Sequence, residues 1–192
     1  MIYIDDHIEE IDLQQALTEV SAQRREKALS YKFEAGQRQS VAAYRLLQRA
    51  LQEEYGITEP PELAFGEHGK PYLKAYPDIH FSLSHCRQAV ACAVSDSPVG
   101  IDIESIRSYK PMLAAYVLSE ADLQEVMQAE RPDVEFIKRW TQKESFLKLT
   151  GQGIGHTMKD LDMSGTQSQT TVNLAKGYVW TVTNYVSMDY SN

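Results

Sequence analysis

Two carboxylates stand one residue apart in a short apolar stretch, at Asp102 and Glu104. The stretch reads V-G-I-D-I-E over residues 99–104, and its β-branched residues predict a strand. Because side chains repeat with period two along a strand, both carboxylates lie on one face, roughly 6–7 Å apart. Like charges at that spacing repel each other unless a cation lies between them. The pattern is compatible with a cation site, but taken alone it is more typical of a strand end whose acids face water.

A second group of residues that could do chemistry follows in W-T-Q-K-E-S-F-L-K, over residues 140–148. The segment predicts a helix on which Glu144 and Lys148 are one turn apart on the same side. Alone, the pair would be a surface ion pair worth about 0.3–0.5 kcal/mol. Together with Asp102 and Glu104 it provides three carboxylates and one lysine, the oxygen donors that Mg²⁺ uses beside substrate phosphates. Residue types and spacing therefore predict a site for a divalent metal and a phosphorylated ligand.

Both motifs, in this order and spacing, resemble the signatures of the 4′-phosphopantetheinyl transferases of the large, surfactin-synthetase-activating type. The strand motif of that family is (V/I)-G-(I/V)-D-(I/V)-E, and its helix motif is (W/F)-(S/T/C)-x-K-E-(S/A)-x-x-K. Residues 99–104 and 140–148 match both without a mismatch, and the resemblance extends over about residues 21–154. It implies two similar α/β halves related by a pseudo-twofold axis, with the active site in the seam between them.

The resemblance also implies a reaction and a role for each residue of the two motifs. Asp102, Glu104 and Glu144 are expected to hold Mg²⁺, or Mn²⁺ in its place, at the pyrophosphate of coenzyme A. A serine hydroxyl of an acyl or peptidyl carrier protein then attacks the β-phosphorus, and 3′,5′-ADP leaves. Glu144 is the expected base for that hydroxyl, directly or through a water, and Lys148 is expected to stabilise charge on the pyrophosphate.

The phosphates of coenzyme A need cationic donors held in fixed positions. The resemblance places three basic residues along the nucleotide groove, namely Arg24, Lys27 and Arg38. It places three further residues on the 3′-phosphate side, namely Lys70, Ser84 and His85. Arg24 and Lys27 are equally well explained as a solvated helix face. The alternative for His85 is a turn residue whose polar atoms are satisfied by hydrogen bonds to the backbone, although the flanking F-S-L-S-H favours a ligand contact.

The rest of the sequence predicts the elements that position these residues. Amphipathic helices are predicted over residues 37–55 and 133–150, ending at Gly56 and Gly151. Shorter helices are predicted within 8–29, 111–117 and 119–127, and strands at 1–4, 63–65, 71–73, 79–84 and 89–94, with two or three more within 161–192. Helices and antiparallel strands in blocks are typical of the α+β class. We expect two halves, residues 1–97 and 98–192.

Composition and charge limit the classes of partner that the protein is expected to bind. A formal net charge of −8 over 192 residues argues against a nucleic-acid-binding or anionic-membrane-binding surface. No apolar run reaches the roughly 20 residues that a membrane-spanning helix needs. With no recognisable signal peptide, the chain is expected to be cytoplasmic, with Cys86 and Cys92 as reduced core thiols. The remaining basic residues Arg25, Lys32 and Lys143 are interpreted as surface charge.

An acidic carrier protein would be repelled by this net charge at long range, so its docking is expected to depend on local apolar contact. Four residues match the family's carrier-contacting segment, namely Met112, Leu113, Tyr116 and Val117. They are at least equally typical of the core of a short helix. The family also implies a monomer.

The family usually closes its second half with a further apolar strand, and this sequence reaches only the start of such a strand at residues 188–192. We therefore expect a C-terminal half that lacks its last strand. Two alternative functions stand beside the transferase: a catalytically impaired coenzyme A or carrier-protein binding module, and an unrelated Mg²⁺-dependent phosphohydrolase. The intact motifs argue against the first. The second would not need Lys70 and His85 as an additional anion site.

Overall fold

The computed structural model describes residues 1–66, 68–153 and 158–186. Its helices are α1 (Leu13–Glu19), α2 (Ala22–Leu29), α3 (Glu34–Tyr55), α4 (Pro111–Val117), α5 (Glu120–Gln128) and α6 (Pro132–Thr150). Its strands are β1 (Ile2–Asp5), β2 (Leu63–Phe65), β3 (Pro71–Leu73), β4 (His80–His85), β5 (Val90–Ser95), β6 (Val99–Ser105), β7 (Thr166–Asn173) and β8 (Tyr178–Tyr185). Short 3₁₀ turns lie at Ile8–Glu10 and Met158–Asp160.

The first sheet has the antiparallel strand order β1-β5-β4 and packs against α3. Val41, Tyr44, Leu47 and Leu51 recur on one stripe of α3, and all four are fully buried. Burying a leucine side chain contributes about 1.5–3 kcal/mol, so this stripe fixes the helix on the sheet. Gly56 ends α3 in the left-handed conformation (φ 68°), which strains residues that carry a Cβ.

The second sheet has the antiparallel order β6-β8-β7 and packs against α6. Unlike α3, α6 meets its sheet partly through hydroxyl groups. Oγ1 of Thr141 lies 2.7 Å from Oγ1 of Thr181, and Oγ of Ser145 lies 2.6 Å from Oγ1 of Thr183, all four residues being buried. Because hydrogen bonds are directional, these pairs fix the rotation of α6 about its own axis.

The two three-stranded sheets meet where β4 and β6 contact each other. Ser82 on β4 accepts a hydrogen bond of 3.0 Å from the backbone nitrogen of Ile101 on β6. Gly100 allows α6 to lie directly on β6, because a Cβ at that position would stand 1.9 Å from the carbonyl oxygen of Ser145 and 2.5 Å from the backbone nitrogen of Leu149. Only glycine fits such an approach of two backbones. Strand β6 is therefore held between β4 and α6.

A mixed architecture of helices and antiparallel strands, as expected for the α+β class, is confirmed, and both long helices end at the predicted glycines. Helix α3 begins at Glu34 rather than at residue 37. Each of the two three-stranded sheets orders its strands first, third, second along the chain, whereas β2 and β3 pair as a separate two-stranded sheet. The pseudo-twofold axis stays a prediction. The boundary after residue 97, between β5 and β6, also stays a prediction. Residues 188–192, on which the expected lack of a last strand rests, lie outside the described residues.

Within the described ranges, none of the helices combines the length and the apolar character that crossing a bilayer requires.

Candidate active site

Asp102 lies at the centre of the candidate site and is only 3% exposed. It is in the middle of β6, where alternation directs Ile101 and Ile103 into the core. Its Oδ1 accepts hydrogen bonds from Oγ of Ser84 at 2.8 Å and from Nζ of Lys148 at 2.7 Å. Its Oδ2 is buried and has no hydrogen-bond partner among the residues that the structure describes. An unpaired buried carboxylate oxygen is unfavourable, so this position favours a cation.

Ser84 and Lys148 complete a triangle of polar contacts with Asp102. Nζ of Lys148, which projects from the last turns of α6, lies 2.8 Å from Oγ of Ser84 near the end of β4. Ser84 is buried, whereas Lys148 is partly exposed along one side. Since Asp102 is buried, its attraction to the ammonium is screened less than that of a surface pair. The predicted meeting of the strand motif with the helix motif is therefore present.

Glu104 and Glu144 complete an acidic cluster around Asp102. Burial, and after it the negative charge of Asp102, raises the pKa of Glu104 from 4.5 to about 7. The same two causes raise the pKa of Glu144. Arg107, whose guanidinium lies 3.9 Å from the Glu104 carboxylate, offsets the shift of Glu104 only in part. The three carboxylates are thus close enough to repel one another, a strain that an added cation relieves.

The three acids fit a hard divalent cation in donor type. Asp102, Glu104 and Glu144 offer only oxygen, which suits Mg²⁺ or Mn²⁺, and Oδ2 of Asp102 is unpaired. Across residues 1–66, 68–153 and 158–186, however, no three Asp, Glu, His or Cys side chains are grouped closely enough to hold a metal ion as they stand. The ammonium of Lys148 lies against Asp102 instead. The metal ligands therefore stay a prediction, supported by donor chemistry and by the unpaired Oδ2.

A pocket of about 270 Å³ opens beside these side chains, between α6 and the segment that carries β3 and β4. Glu144 and Lys148 lie on one wall, and apolar residues that include Phe81 form much of the rest. Lys70 also lines the pocket, and its Nζ donates a hydrogen bond of 2.9 Å to the carbonyl oxygen of Leu149. A cation is favoured there by the C-terminal end of α6. Burial lowers the pKa of Lys70.

The residues predicted along the nucleotide groove do not all lie together. Arg24 and Lys27 line a second groove of about 400 Å³, where the Arg24 guanidinium lies 5.1 Å from the centroid of the Tyr44 ring. Arg24 is half-buried and Lys27 is exposed. The alternative interpretation of both residues as a solvated helix face therefore fits only Lys27. His85 is exposed at the end of β4. Their roles toward a nucleotide stay predictions.

Arg38 lies apart from both of these places. Its guanidinium donates to the carbonyl oxygens of Glu9 at 2.7 Å and Ile11 at 3.1 Å, and it forms an ion pair with Glu34. These contacts tie α3 to the segment before α1. A phosphate at this guanidinium would compete with these contacts, and the nucleotide contact of Arg38 stays a prediction.

Lys143 is buried, and its interpretation as a surface charge is wrong. It is 7% exposed, its Nζ donates a 2.9 Å hydrogen bond to the carbonyl oxygen of Met158, and it lies 3.9 Å from Oδ2 of Asp122. Burial lowers the pKa of Lys143. Its partners belong to α5 and to the turn that follows α6, so no local pattern in the sequence points to them.

The apolar residues predicted to contact a carrier protein are divided between core and surface. Val117 is buried, as the alternative interpretation expects. Met112 and Tyr116 are 87% and 68% exposed, and Leu113 is exposed beside them. Large apolar side chains clustered on one short exposed helix are typical of an interaction surface.

Gly100 is the residue of the site to which sequence reasoning assigned no role. Its missing Cβ lets the turns of α6 that carry Glu144 and Lys148 lie on β6. A signal was present, because a glycine inside a buried strand often marks the close approach of another backbone.

The raised pKa of Glu104 predicts that Glu104→Gln stabilises the metal-free protein at alkaline pH. Below pH 4.5 the carboxyl is protonated in both the folded and the unfolded chain, so Glu104 costs no stability there. Between pH 4.5 and about 7 the unfolded chain ionises first, so the free energy of unfolding falls as pH rises. Removing this penalty should raise the free energy of unfolding by about 1–3 kcal/mol at pH 8.

Thermal denaturation in EDTA at pH 4.5 and pH 8 measures this effect. The exposed Glu130→Gln on another part of the surface is the matched control, and it should change the melting temperature equally little at both values. A Glu104→Gln variant that gains the same stability at pH 4.5 as at pH 8 would contradict the electrostatic origin of the penalty.

Known proteins match the part of the chain that carries this site. The family model described as the 4′-phosphopantetheinyl transferase superfamily matches residues 98–188. A 4′-phosphopantetheinyl transferase of Bacillus subtilis is 32% identical over 158 residues, which are 80% of this chain and 70% of that protein. The 4′-phosphopantetheinyl transferase psf-1 of Bacillus pumilus is 34% identical over 158 residues, covering 80% of this chain and 67% of that protein. The crystal structure of holo-[acyl-carrier-protein] synthase from Thermotoga maritima aligns with a TM-score of 0.38 and 19% identity, over 45% of this chain and 61% of that one.

Proposed function

The chain belongs to the 4′-phosphopantetheinyl transferase superfamily, and from this membership we propose that it transfers the 4′-phosphopantetheine group of coenzyme A to a serine hydroxyl of an apo acyl or peptidyl carrier protein. The observation that carries the proposal is the contact between the two motifs at Asp102 and Lys148, with Glu104 and Glu144 beside them. Acids that repel one another beside a lysine and a pocket are suited to a metal-bound diphosphate.

In the proposed reaction the serine oxygen forms a bond to the β-phosphorus of coenzyme A, and the bond to 3′,5′-ADP breaks. Glu144 takes the proton of the serine hydroxyl, directly or through a water. Its raised pKa supports this role, because a base works best when its pKa lies near the working pH. Lys148 turns its ammonium toward the developing negative charge on the pyrophosphate.

Asp102, Glu104 and Glu144 would hold Mg²⁺ or Mn²⁺. When bound, the cation supplies positive charge that neutralises the pyrophosphate oxygens. These residues would hold it through their carboxylate oxygens, and their mutual repulsion disfavours the cluster without a cation.

Coenzyme A is the proposed donor, and its site extends over two openings of the surface. The pocket that Lys70, Glu144 and Lys148 line is next to the acids, so it is the proposed place of the pyrophosphate end. The groove lined by Arg24 and Lys27 presents cations on an acidic protein, so it is the proposed place of the nucleotide phosphates. His85, which is exposed at the end of β4, is a further proposed contact.

The carrier protein is proposed to dock on the exposed apolar face of α4, formed by Met112, Leu113 and Tyr116. This helix follows β6, the strand that carries Asp102 and Glu104, in the chain. Local apolar contact can provide affinity that a net charge of −8 cannot provide toward an acidic carrier.

Met112→Asp with Tyr116→Asp should therefore raise the KM for an apo carrier protein by about tenfold or more, because desolvated apolar anchors carry much of an interface's energy. The KM for coenzyme A should not change. Steady-state kinetics with each substrate varied in turn measures both constants. Met127→Asp on α5 is the matched control, since Met127 is also exposed. An unchanged KM for the carrier in the double variant would remove α4 from the docking surface.

We further propose that the protein acts as a monomer whose two halves, residues 1–97 and 98–192, are related by a pseudo-twofold axis. The shared strand order of the two three-stranded sheets supports this relation. A cytoplasmic location is proposed because coenzyme A and carrier proteins are intracellular substrates, and because Cys86 and Cys92 are both free thiols buried in the fold.

One assay tests the proposed function. The protein is incubated with coenzyme A, Mg²⁺ and an apo carrier protein, and the carrier is analysed by mass spectrometry. The expected result is a carrier heavier by one phosphopantetheine, with 3′,5′-ADP released and no product in EDTA. Coenzyme A binding without the adduct would indicate an impaired binding module, and phosphate release without a carrier would indicate a phosphohydrolase. Either result would overturn the proposal.

A further inference from the structure

We propose that Thr181 and Thr183 on β8 are positioning residues for the proposed reaction. Their buried hydroxyls hold α6 in the one rotation that brings Glu144 and Lys148 to Asp102. The inference rests on the proposed function, because it assigns the two threonines a task in that reaction. Its basis is a pair of hydrogen-bond chains, each of three hydroxyl groups, that run from β7 through β8 to α6.

Thr181 and Thr183 lie directly beside the strand that carries the acids. In the antiparallel pairing of β6 with β8, Thr181 is opposite Asp102 and Thr183 is opposite Gly100. Opposite residues direct their side chains to the same face, so both threonines point toward α6, whose backbone lies on Gly100. Adjacent strands are about 4.8 Å apart. The two hydroxyls therefore contact α6 within one strand's width of Asp102.

The first chain begins and ends on α6. The proton of the Thr141 hydroxyl goes to the carbonyl oxygen of Lys138 at 3.0 Å, because a carbonyl can only accept. Thr141 therefore accepts from Thr181 at 2.7 Å, and Thr181, whose single proton is then used, accepts from Thr170 on β7 at 2.9 Å. Thr170 accepts in turn from the side-chain amide of Gln142 at 3.3 Å. Counting protons thus gives every bond of this chain one direction.

The second chain has the same direction. The hydroxyl of Ser145 donates to the carbonyl oxygen of Gln142 at 2.9 Å, so its lone pair accepts from Thr183 at 2.6 Å. Thr183 accepts from Ser168 on β7 at 2.8 Å. Each threonine of β8 is therefore the middle member of a chain, and it donates to α6 while it accepts from β7. Removing its hydroxyl breaks two bonds at once.

These bonds restrict a motion that apolar packing leaves free. The hydrophobic effect has no direction, whereas a hydrogen bond between hydroxyls weakens steeply with distance and angle. Ser145 directly follows Glu144 on α6, and Thr141 precedes Lys148 by about two helical turns. A rotation of α6 that moves these two site residues away from Asp102 therefore also breaks the contacts of the helix with β8.

The threonines act through the helix and not on a substrate, because both are fully buried. The double variant Thr181→Val with Thr183→Val keeps the shape of both side chains and removes both hydroxyls. Its kcat should fall about tenfold or more, since misplacing a site residue by less than 1 Å is enough for such a loss. The KM values for coenzyme A and for the carrier should stay within about threefold of wild type, because neither threonine touches either substrate.

Rescue by serine separates positioning from loss of packing. Thr181→Ser with Thr183→Ser removes a methyl group from each side chain but keeps both hydroxyls, so it should lower the melting temperature and keep kcat within about threefold of wild type. Val41→Ala, in the fully buried stripe of α3, is the matched control for a core variant that is less stable and fully active. All kcat values are measured at least 20 °C below the melting temperature of each variant, where the folded form predominates.

Hydrogen exchange of the α6 amides, measured by mass spectrometry without substrates, gives a readout that does not depend on activity. Exchange over α6 should be faster than in wild type in the valine variant and close to wild type in the serine variant, because the serines keep the bonds to the helix. The inference would be overturned by a valine variant with the kcat of Val41→Ala, by a serine variant that loses as much kcat as the valine variant, or by equal exchange in all of them. A wild-type protein that forms no adduct would overturn the proposed function, and hydrogen exchange would still decide whether the hydroxyls hold α6.

Discussion

Gly100→Ala is expected to destabilise the folded protein and to displace α6 from β6. The new Cβ would stand 1.9 Å from the carbonyl oxygen of Ser145 and 2.5 Å from the backbone nitrogen of Leu149. Both are main-chain atoms of α6, so no side-chain rotation can relieve the clash. Overpacking of this kind costs about 3 kcal/mol or more when backbone must move.

The same displacement should reduce turnover. Ser145 and Leu149 each directly follow one of the two site residues of α6, Glu144 and Lys148. A shift of α6 away from β6 therefore moves both side chains away from Asp102. A misplacement of about 1 Å can cost about 100-fold in rate, so the surviving folded protein should lose at least that factor in kcat.

Urea denaturation and carrier-modification kinetics of purified Gly100→Ala test both parts of this prediction. Gly66→Ala is the matched control, because a Cβ at Gly66 would meet its nearest heavy atom, the carbonyl oxygen of Lys70, at an ordinary 3.7 Å. The control should stay within about 1 kcal/mol of wild type. If Gly100→Ala were as stable and as active as Gly66→Ala, the close packing of α6 on β6 would not be what positions the site.

The acids of the site could be predicted from the sequence because their placement depends on local periodicity. Asp102 and Glu104 share a face of β6 by the period of a strand, and Glu144 and Lys148 share a side of α6 by the period of a helix. The glycines after the long helices likewise act locally, through backbone conformation. Features of this kind need no knowledge of what the element packs against.

The contacts that the sequence could not predict are those whose partners are distant along the chain. Lys143 carries the same charge as Lys148 and lies on the same helix, yet it is buried against α5 and the turn at Met158. Arg38 binds backbone carbonyls of the segment before α1, which no motif encodes. The hydroxyl of Ser84 on β4 donates a hydrogen bond to Asp102 on β6, a contact between two strands that no local pattern encodes. Charge and residue type predict that such a group needs a partner, but the tertiary fold decides which one.

Lys148→Ala should lower both the stability of the folded protein and its turnover, but Mg²⁺ should restore only the stability. The substitution leaves Asp102 buried without its ammonium partner, and breaking a buried pair costs about 3–5 kcal/mol. The lower end of this range is expected, since Lys148 is partly exposed.

Mg²⁺ should restore more stability to this variant than it adds to wild type, because the cation replaces the missing positive charge beside Asp102. Turnover should fall about 10²–10³-fold and should not recover with Mg²⁺, because the lysine also stabilises the charge of the breaking bond.

Lys138→Ala on the same helix is the matched control for this prediction. Lys138 pairs with Glu135 at 2.6 Å in a partly exposed position, and such pairs are worth about 1 kcal/mol or less. The control should therefore show a small stability loss, the wild-type response to Mg²⁺ and wild-type turnover. Melting temperatures in EDTA and in Mg²⁺, measured beside kcat at saturating substrates, give all three quantities. Wild-type turnover in Lys148→Ala would exclude the lysine from the chemistry, and a response to Mg²⁺ no larger than that of Lys138→Ala would show that the cation does not occupy the charge position beside Asp102.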